Sequence, residues 1–225
     1  MSGRTKLADR TLPDYTRGNE IFNMVSHIVG GALGLVALVS CVAVAAAHHN
    51  LWGVWTSVVY GVSMITLYTI SATYHGLKGV RGKKVMQVLD HCTIYFLIAG
   101  TYTPVTLTIL RPAYPAIAWC VFGIVWGCAV LASVFTAIDL KQYRVFSMIC
   151  YLAMGWCVII SLRDAVIAMT WPGFAYILGG GVAYTIGAVL YLIGKKKPYR
   201  HFVFHIFVLL AAIIQFAGIY LYLLR

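Results

Sequence analysis

Apolar runs of 18 or more residues, nearly free of charge, recur along the 225-residue chain and limit its fold more than any other feature. A helix of about that length crosses a hydrocarbon core about 30 Å thick. The chain is 61% hydrophobic and 10% charged, whereas a soluble domain is about 45–50% apolar and about 25% charged. The sequence therefore predicts an all-α integral membrane protein with no room for a separate soluble domain.

The periodicity and length of the apolar runs predict a bundle of seven transmembrane helices. We expect residues 1–20 to form a polar N-terminal tail, mobile or lying on the surface, and residues 21–225 to form one domain. The predicted spans are roughly 21–47, 53–75, 87–110, 113–136, 143–162, 172–194 and 201–224.

The basic residues predict the orientation of this bundle, because cytoplasmic loops carry an excess of Lys and Arg. Seven spans place Arg111, Arg163 and Arg225 on one side and fourteen basic residues on the other: Arg4, Lys6, Arg10, Arg17, Lys78, Arg81, Lys83, Lys84, Lys141, Arg144, Lys195, Lys196, Lys197 and Arg200. We expect a cytoplasmic N-terminus and an external C-terminus, in the plasma membrane. The net charge of +11 is then explained by orientation and by attraction to anionic lipid headgroups, not by nucleic-acid binding. Protein partners are not indicated.

Helix-packing and helix-breaking residues are also visible along the spans. Gly30 with Gly34, Gly123 with Gly127, and Gly179 with Ala183 and Gly187 have the spacing that allows close helix approach. Pro104 predicts a kink in the third span, and Pro172 predicts the start of the sixth.

Hydroxyl, imidazole and carboxylate side chains lie at the cytoplasmic ends of three predicted spans. Ser71 and His75 are four residues apart near the end of the second span, and Asp90 follows a basic loop at the start of the third. His201 and His205 repeat the four-residue spacing at the start of the last span. Four residues advance about 400° on a helix, so each pair shares one face. We expect the chain to return the Asp90 carboxylate towards His75.

This set has the composition of a catalytic zinc site, which commonly uses three protein ligands and leaves one position open. His75, His201 and His205 would be the ligands, Asp90 a general base or a partner of the bound water, and Ser71 an orienting group. A carboxylate inside a membrane costs about 2.5–3.5 kcal/mol and needs such a partner or a wet cavity. Buried histidines that serve only packing remain the alternative at this point.

Three further groups of polar residues are given no role in the site. His91 points about 100° away from Asp90 on a helix and is left outside. His27 is expected to pack with Asn23, with a further metal ligand as the alternative, and Glu20 has no assigned role. His48 and His49 are expected in an exposed loop.

The motifs SATYH, LDHCTIYFLIAGTYTP, YLAMGW and HFVFHIFVL together resemble the hemolysin III family, the bacterial branch of the progestin and adipoQ receptor family. The resemblance extends from about Glu20 to the C-terminus. It implies seven transmembrane helices with a cytoplasmic N-terminus and a zinc ion held by His75, His201 and His205. It also implies that Asp90 lies near the metal and that Ser71 is the serine of the SxxxH motif.

The resemblance also implies a function by analogy with alkaline ceramidases, for which metal-dependent hydrolysis of lipid amides is the proposed chemistry. We therefore expect a zinc-dependent hydrolase of a lipid amide or ester that acts in membrane-lipid homeostasis, with a membrane lipid as substrate or ligand. The alternative is a non-catalytic sensor or receptor with a structural zinc. The third reading is a pore-forming haemolysin, which is disfavoured because no span carries a charged stripe. A shared fold does not by itself establish the reaction.

Overall fold

The protein is described by a computed structural model that covers residues 5–193 and 199–224. The described part is helical, without strands. Its helices are α1 (Arg17–Ala47), α2 (Leu51–Gly76), α3 (Val80–Thr103), α4 (Pro115–Ile138), α5 (Arg144–Gly155), α6 (Leu162–Ile193) and α7 (Arg200–Gly218). A three-residue helical turn at Arg111–Ala113, short 3-10 turns at Leu7–Asp9 and Cys157–Ser161, and π-helical turns at Pro104–Leu110 and Ile219–Leu223 complete the described part of the chain.

Six helical runs in the described ranges are long and apolar enough to cross a membrane. Four of them match predicted spans one, two, four and seven to within a few residues: Arg17–Ala47, Leu51–Gly76, Pro115–Ile138 and Arg200–Leu223. The third predicted span, 87–110, lies inside a longer run, Val80–Ala113. The fifth and sixth predicted spans lie in a single run, Arg144–Ile193, of 50 residues. The membrane character of the prediction is confirmed, with six runs where seven spans were expected.

The two prolines act where a missing N–H would disrupt a helix. Pro104 begins the π-helical turn that continues α3, at the position of the predicted kink. Pro172 follows a break inside α6, where Thr170 has φ 61° and ψ 160°. A positive φ is strained for a residue with a branched Cβ, so Thr170 marks the place where the helix changes direction.

The helices pack in a ring-like order that places the first and the last long helix side by side. α1 lies against α2 and α7, α2 against α3, α3 against α4, and α7 against α6. Gly30 and Gly34 permit the contact of α1 with α2, since an added Cβ would meet Tyr68 or Ile65. The expected packing role of Gly123 and Gly127 is wrong, because an added Cβ there meets nothing within 4 Å.

The N-terminal segment ahead of α1, residues 5–16, lies across the end of the bundle where α3 begins and α4 ends. It is held there by specific hydrogen bonds. The Thr5 N–H donates to Asp139 Oδ2 at 2.7 Å, and the Lys84 ammonium donates to the Ala8 carbonyl at 2.5 Å. The Arg10 guanidinium donates to the carbonyls of Ala137 and Ile138. The segment is therefore an anchored strap, and α1 begins at Arg17, earlier than predicted. Residues Arg4, Lys195, Lys196, Lys197 and Arg225 of the charge count lie outside the described residues.

Candidate metal centre and its cavity

Three histidines from two helices meet at the end of the bundle that carries the N-terminal strap. His75 is in the last turn of α2, and His201 and His205 lie one turn apart at the start of α7. One ring nitrogen of each lies within 4.8 Å of the others. The predicted ligands are thus brought together, because the i, i+4 spacing aligns the α7 pair and the α2 helix ends beside it.

The nitrogens of this cluster have the pattern expected of a metal site. His75 Nε2 is buried and has no hydrogen-bond partner in the described part of the chain. His201 Nε2 and His205 Nε2 face each other at 3.0 Å, while His205 Nδ1 faces Ser26 Oγ at 3.5 Å. Unpartnered buried nitrogens are costly, and three neutral imidazoles suit zinc. The cluster can hold a metal ion, and its donor set fits zinc.

Glu20, which the sequence reasoning left without a role, is the residue that orients His75. Its Oε2 lies 2.6 Å from His75 Nδ1, and its Oε1 lies 2.5 Å from Lys83 Nζ. A carboxylate only accepts hydrogen bonds, so Nδ1 carries the proton and Nε2 keeps its lone pair. The signal in the sequence was an acidic residue at the membrane end of the first apolar run, since such a charge needs a partner.

Asp90 and Ser71 lie beside the cluster on the walls of the same cavity. Ser71 is fully buried and its hydroxyl has no partner among the described residues, and Asp90 is 8% exposed. Both line the cavity together with His201 and His205. The carboxylate bonded to His75 is that of Glu20, so the expected return of the Asp90 carboxylate towards His75 gives no hydrogen bond between these two residues in the described structure. Asp90 lines the cavity beside the metal cluster, with its Oδ2 3.8 Å from His91 Nδ1.

The other histidines take three different positions. His27 stacks on His205, a residue of the metal cluster, with ring centroids 3.7 Å apart and planes 11° apart. Neither its ring nitrogens nor the Asn23 side-chain amide has a hydrogen-bond partner among the described residues. His91 Nδ1–H donates to the Gln87 carbonyl at 2.8 Å, and His91 lines the cavity, although it was expected outside the site. His48 and His49 are exposed at the end of α1, as expected.

The cavity has a volume of about 460 Å³ and runs into the bundle from the strap. Its walls come from the strap and from α1, α2, α3, α5, α6 and α7. Apolar side chains line much of its length, among them Ile94, Ile98, Leu152, Phe204 and Val208. Gln215 and Tyr102 lie at its inner end, next to a second small space of about 20 Å³. Its size is that of a pocket for a small-molecule ligand.

Comparisons with known proteins show the family of this chain. A family model described as "Haemolysin-III related" matches residues 15–216, a range that includes all three histidines. Hemolysin-3 of Bacillus cereus is 34% identical over 205 residues, which cover 91% of this chain and 92% of the relative. The Hemolysin-3 homolog of Bacillus subtilis (strain 168) is 34% identical over 195 residues, covering 87% and 90%. Monocyte to macrophage differentiation factor of Homo sapiens is 26% identical over 215 residues, covering 91% and 81%.

Proposed function

Since the chain belongs to the haemolysin-III-related family and is a multi-pass protein of a bacterial-type inner membrane, we propose that it is a zinc-dependent hydrolase of a lipid amide or ester. The proposal includes a role in membrane-lipid homeostasis. One observation carries it: two histidines of the three-histidine cluster, His201 and His205, line a largely apolar cavity that also holds a buried carboxylate and a buried hydroxyl, Asp90 and Ser71. A metal that served only to hold helices together would require neither the cavity nor these two groups.

Each residue has a distinct part in this proposal. His75, His201 and His205 hold the metal, and Glu20 keeps His75 in the tautomer that presents Nε2. When bound, zinc supplies a Lewis acid that stabilises negative charge on the carbonyl oxygen. Asp90 accepts a proton from the water that attacks the carbonyl carbon. The bond to the leaving nitrogen or oxygen then breaks, and the proton passes from Asp90 to the leaving amine or alcohol, so that a carboxylic acid and an amine or alcohol result.

Ser71 serves as a positioning group in this reaction. Its hydroxyl is buried, has no partner among the described residues, and faces the cavity one helix turn from His75. A hydroxyl can donate one hydrogen bond and accept two. We assign it the donation of a hydrogen bond to the substrate carbonyl oxygen, which holds that group beside the histidines.

The proposal keeps seven spans with a cytoplasmic N-terminus. The run Arg144–Ile193 has 50 residues, and at 1.5 Å per residue a straight helix of that length would measure about 75 Å, more than twice the hydrocarbon thickness. The run is interrupted by the 3-10 turn at Cys157–Ser161 and by the non-helical Thr170. Two spans joined across these breaks account for the length. The excess of Lys and Arg in the loops at the strap end supports a cytoplasmic position for the strap and the histidine cluster.

The experiment that tests the proposal measures bound zinc and lipid turnover together. Elemental analysis of chelator-free protein is expected to give one zinc per chain, which the pair His201→Ala and His205→Ala should lose. Asp90→Asn should retain zinc and lose hydrolysis of a panel of lipid amides and esters, since an amide cannot accept the proton. Hydrolysis that persists in Asp90→Asn would remove Asp90 from the reaction. Stoichiometric zinc without any lipid product would leave a sensor or receptor with a structural zinc.

A further inference from the structure

The mouth of the cavity, next to the strap, carries an excess of positive charge. Three cationic side chains line it, Arg10 from the strap, Lys141 from the loop after α4 and Arg144 from the first turn of α5. Asp9 is the one acidic residue that lines the mouth beside them, and Asp90 lies deeper, next to the histidines. Like charges gathered at the rim of a low-dielectric cavity focus their field on whatever occupies it.

Arg10 is held in place by contacts that leave part of its guanidinium free. One terminal nitrogen donates to the Ala137 and Ile138 carbonyls at 3.3 and 3.2 Å. The Nε atom is buried and has no partner among the described residues. A guanidinium has five N–H donors in a fixed fork that matches a phosphate or carboxylate. Arg10 therefore has donors to spare at the mouth of the cavity.

Within the described part of the chain, Lys141 and Arg144 have no carboxylate partner. The ion pairs among the described residues involve Glu20 and Asp90, and neither of these two cations takes part in them. The nearby Asp139 carboxylate is occupied by the backbone N–H groups of Thr5, Lys141 and Gln142. Arg144 is within electrostatic range of Tyr191, whose ring lies 5.5 Å from that of His201. The cations thus face the approach to the metal cluster.

The interior of the cavity has the opposite character. From His205, which lies near the mouth, to Gln215 at the inner end is ten residues of α7, or about 15 Å along the helix. The walls over this distance include Ile98, Leu97 and Val208. A cavity with a cationic mouth and an apolar interior of this length matches a molecule with an anionic head and a hydrocarbon chain.

We propose that the ligand of this cavity is a single-chain amphiphile with a phosphate or carboxylate headgroup. Its headgroup lies between Arg10, Lys141 and Arg144, and its chain extends towards Gln215. The inference rests on the proposed function in taking this cavity as the substrate site, and it narrows the substrate class to anionic lipids. It differs from general attraction of basic loops to the membrane, because it concerns three cations that line one cavity.

Binding of matched lipids to the purified full-length protein in neutral detergent tests this inference. The probes are an oleoyl lysophosphatidic acid and a monooleoylglycerol, which share the chain and differ in the phosphate, and inorganic phosphate alone. We expect the lysophosphatidic acid to bind at least tenfold more tightly than the neutral lipid. Inorganic phosphate should compete only weakly, because it has no chain to bury.

A triple variant, Arg10→Gln with Lys141→Gln and Arg144→Gln, should lose this preference, at about tenfold in affinity for each charge-assisted contact removed. The matched control replaces three exposed basic residues of the same end that do not line the cavity, Arg17, Lys78 and Arg81, by Gln. It changes the net charge equally and should keep the preference. Because Arg10 also anchors the strap, the double variant of Lys141 and Arg144 alone separates charge from folding.

Three results would overturn the inference. Equal losses in the triple variant and its control would mean that only the general field of the basic surface acts. Equal binding of the charged and neutral lipids would mean that the protein does not recognise the headgroup. Tight binding of inorganic phosphate alone would mean that the hydrocarbon chain of the lipid does not contribute to affinity. Binding needs neither zinc nor turnover, so lysophosphatidic acid that binds without being cleaved would leave this inference intact and count against the hydrolase. Cleavage of neutral lipids that is unchanged in the variants of Arg10, Lys141 and Arg144 would support the hydrolase and count against this inference.

Discussion

Glu20→Gln removes one negative charge from the contact that orients His75 and leaves the shape of the side chain almost unchanged. The carboxylate accepts from His75 Nδ1 at 2.6 Å and from Lys83 Nζ at 2.5 Å, and its side chain is 18% exposed. Glutamine can still accept a hydrogen bond from His75, but the bond becomes a neutral one and the attraction to Lys83 is lost. The amide nitrogen also offers a donor where Lys83 already supplies donors.

The size of the effect follows from these contacts. A hydrogen bond to a charged group contributes about 1.5–3 kcal/mol and a neutral one about 0.5–1.5 kcal/mol. The difference, about 1–1.5 kcal/mol, acts on the orientation and basicity of one of three ligands and corresponds to a loss of about 5–15-fold in metal affinity. This agrees with the low end of the 10–100-fold loss that is typical when a partner of a metal-bound histidine is removed.

The measurement is zinc affinity by competition with a chromophoric chelator, with the visible spectrum of the cobalt-substituted protein as a second readout. The spectrum of Glu20→Gln should shift, because the donor strength and orientation of His75 change, while thermal stability without metal stays close to that of wild type. Lys83→Met should weaken zinc binding in the same direction by a smaller factor. Lys84→Met is the control, since Lys84 donates to the Ala8 carbonyl and does not touch Glu20.

An unchanged zinc affinity and an unchanged cobalt spectrum in Glu20→Gln would refute this reasoning. His75 would then be positioned by packing against Tyr74 and Tyr15, and Glu20 would be a partner of Lys83 alone. A loss of affinity that is equal in Lys83→Met and Lys84→Met would attribute the effect to net charge at this end of the bundle.

Three further predictions concern the cavity, the helix packing and the strap. Gly181→Leu should shorten the longest lipid chain that binds and should not lower thermal stability, because Gly181 lines the cavity and an added Cβ there meets open space. The control is Gly123→Leu, which should leave the preferred lipid chain length unaltered because Gly123 does not line the cavity. Gly30→Ala should lower the free energy of unfolding by about 1–3 kcal/mol, as expected for overpacking, because the new Cβ falls against the ring of the fully buried Tyr68. Gly123→Ala should have no such cost, and equal melting temperatures for the two variants would contradict the prediction. Hydrogen bonds from the N–H groups of Gln142, Thr5 and Lys141 hold the pKa of the Asp139 carboxyl well below its usual range. The stabilisation of the strap by Asp139 is therefore fully present at pH values above the ordinary carboxyl pKa of about 4. It is lost as the pH falls through the lower pKa of the folded state. Hydrogen exchange of residues 5–13 should therefore rise only in strong acid, and Asp139→Asn should raise it at neutral pH as well.

The membrane character and four of the helical runs were predictable because hydrocarbon thickness sets the length of an apolar run. The division of Arg144–Ile193 was less so, since periodicity does not show where a long apolar run changes direction. Thr170, with its positive φ, carries no local signal of a break beyond the proline two residues later. The strap was missed for another reason. Its contacts with Asp139 and with the carbonyls of Ala137 and Ile138 join residues more than 100 positions apart, and no pattern within residues 1–16 indicates them.

The histidine cluster followed from spacing, because the i, i+4 rule and the shared end of the bundle together place His201 and His205 beside His75. The partner of His75 did not follow. Two carboxylates, Glu20 and Asp90, are at the same end, and depth alone does not decide which one meets the ring. The choice depends on which helix packs behind α2, and α1 does so through Gly30 and Gly34. Asp90 is thereby left free to face the cavity.

This division between the two carboxylates is itself an argument about function. A purely structural metal needs its ligands held, and Glu20 and Lys83 accomplish that from the side away from the cavity. Asp90 is not needed to orient any histidine of the cluster, yet it is retained at 8% exposure in a membrane-spanning helix, where a carboxylate is costly. With Ser71, whose hydroxyl has no partner in the described structure, it borders the space that a substrate would fill. Its one charged neighbour in the described structure is His91, at 3.8 Å, which is not a member of the cluster. A costly carboxylate on the wall of a cavity beside a metal cluster is typical of a site that does chemistry, and this favours the hydrolase over the sensor with a structural zinc.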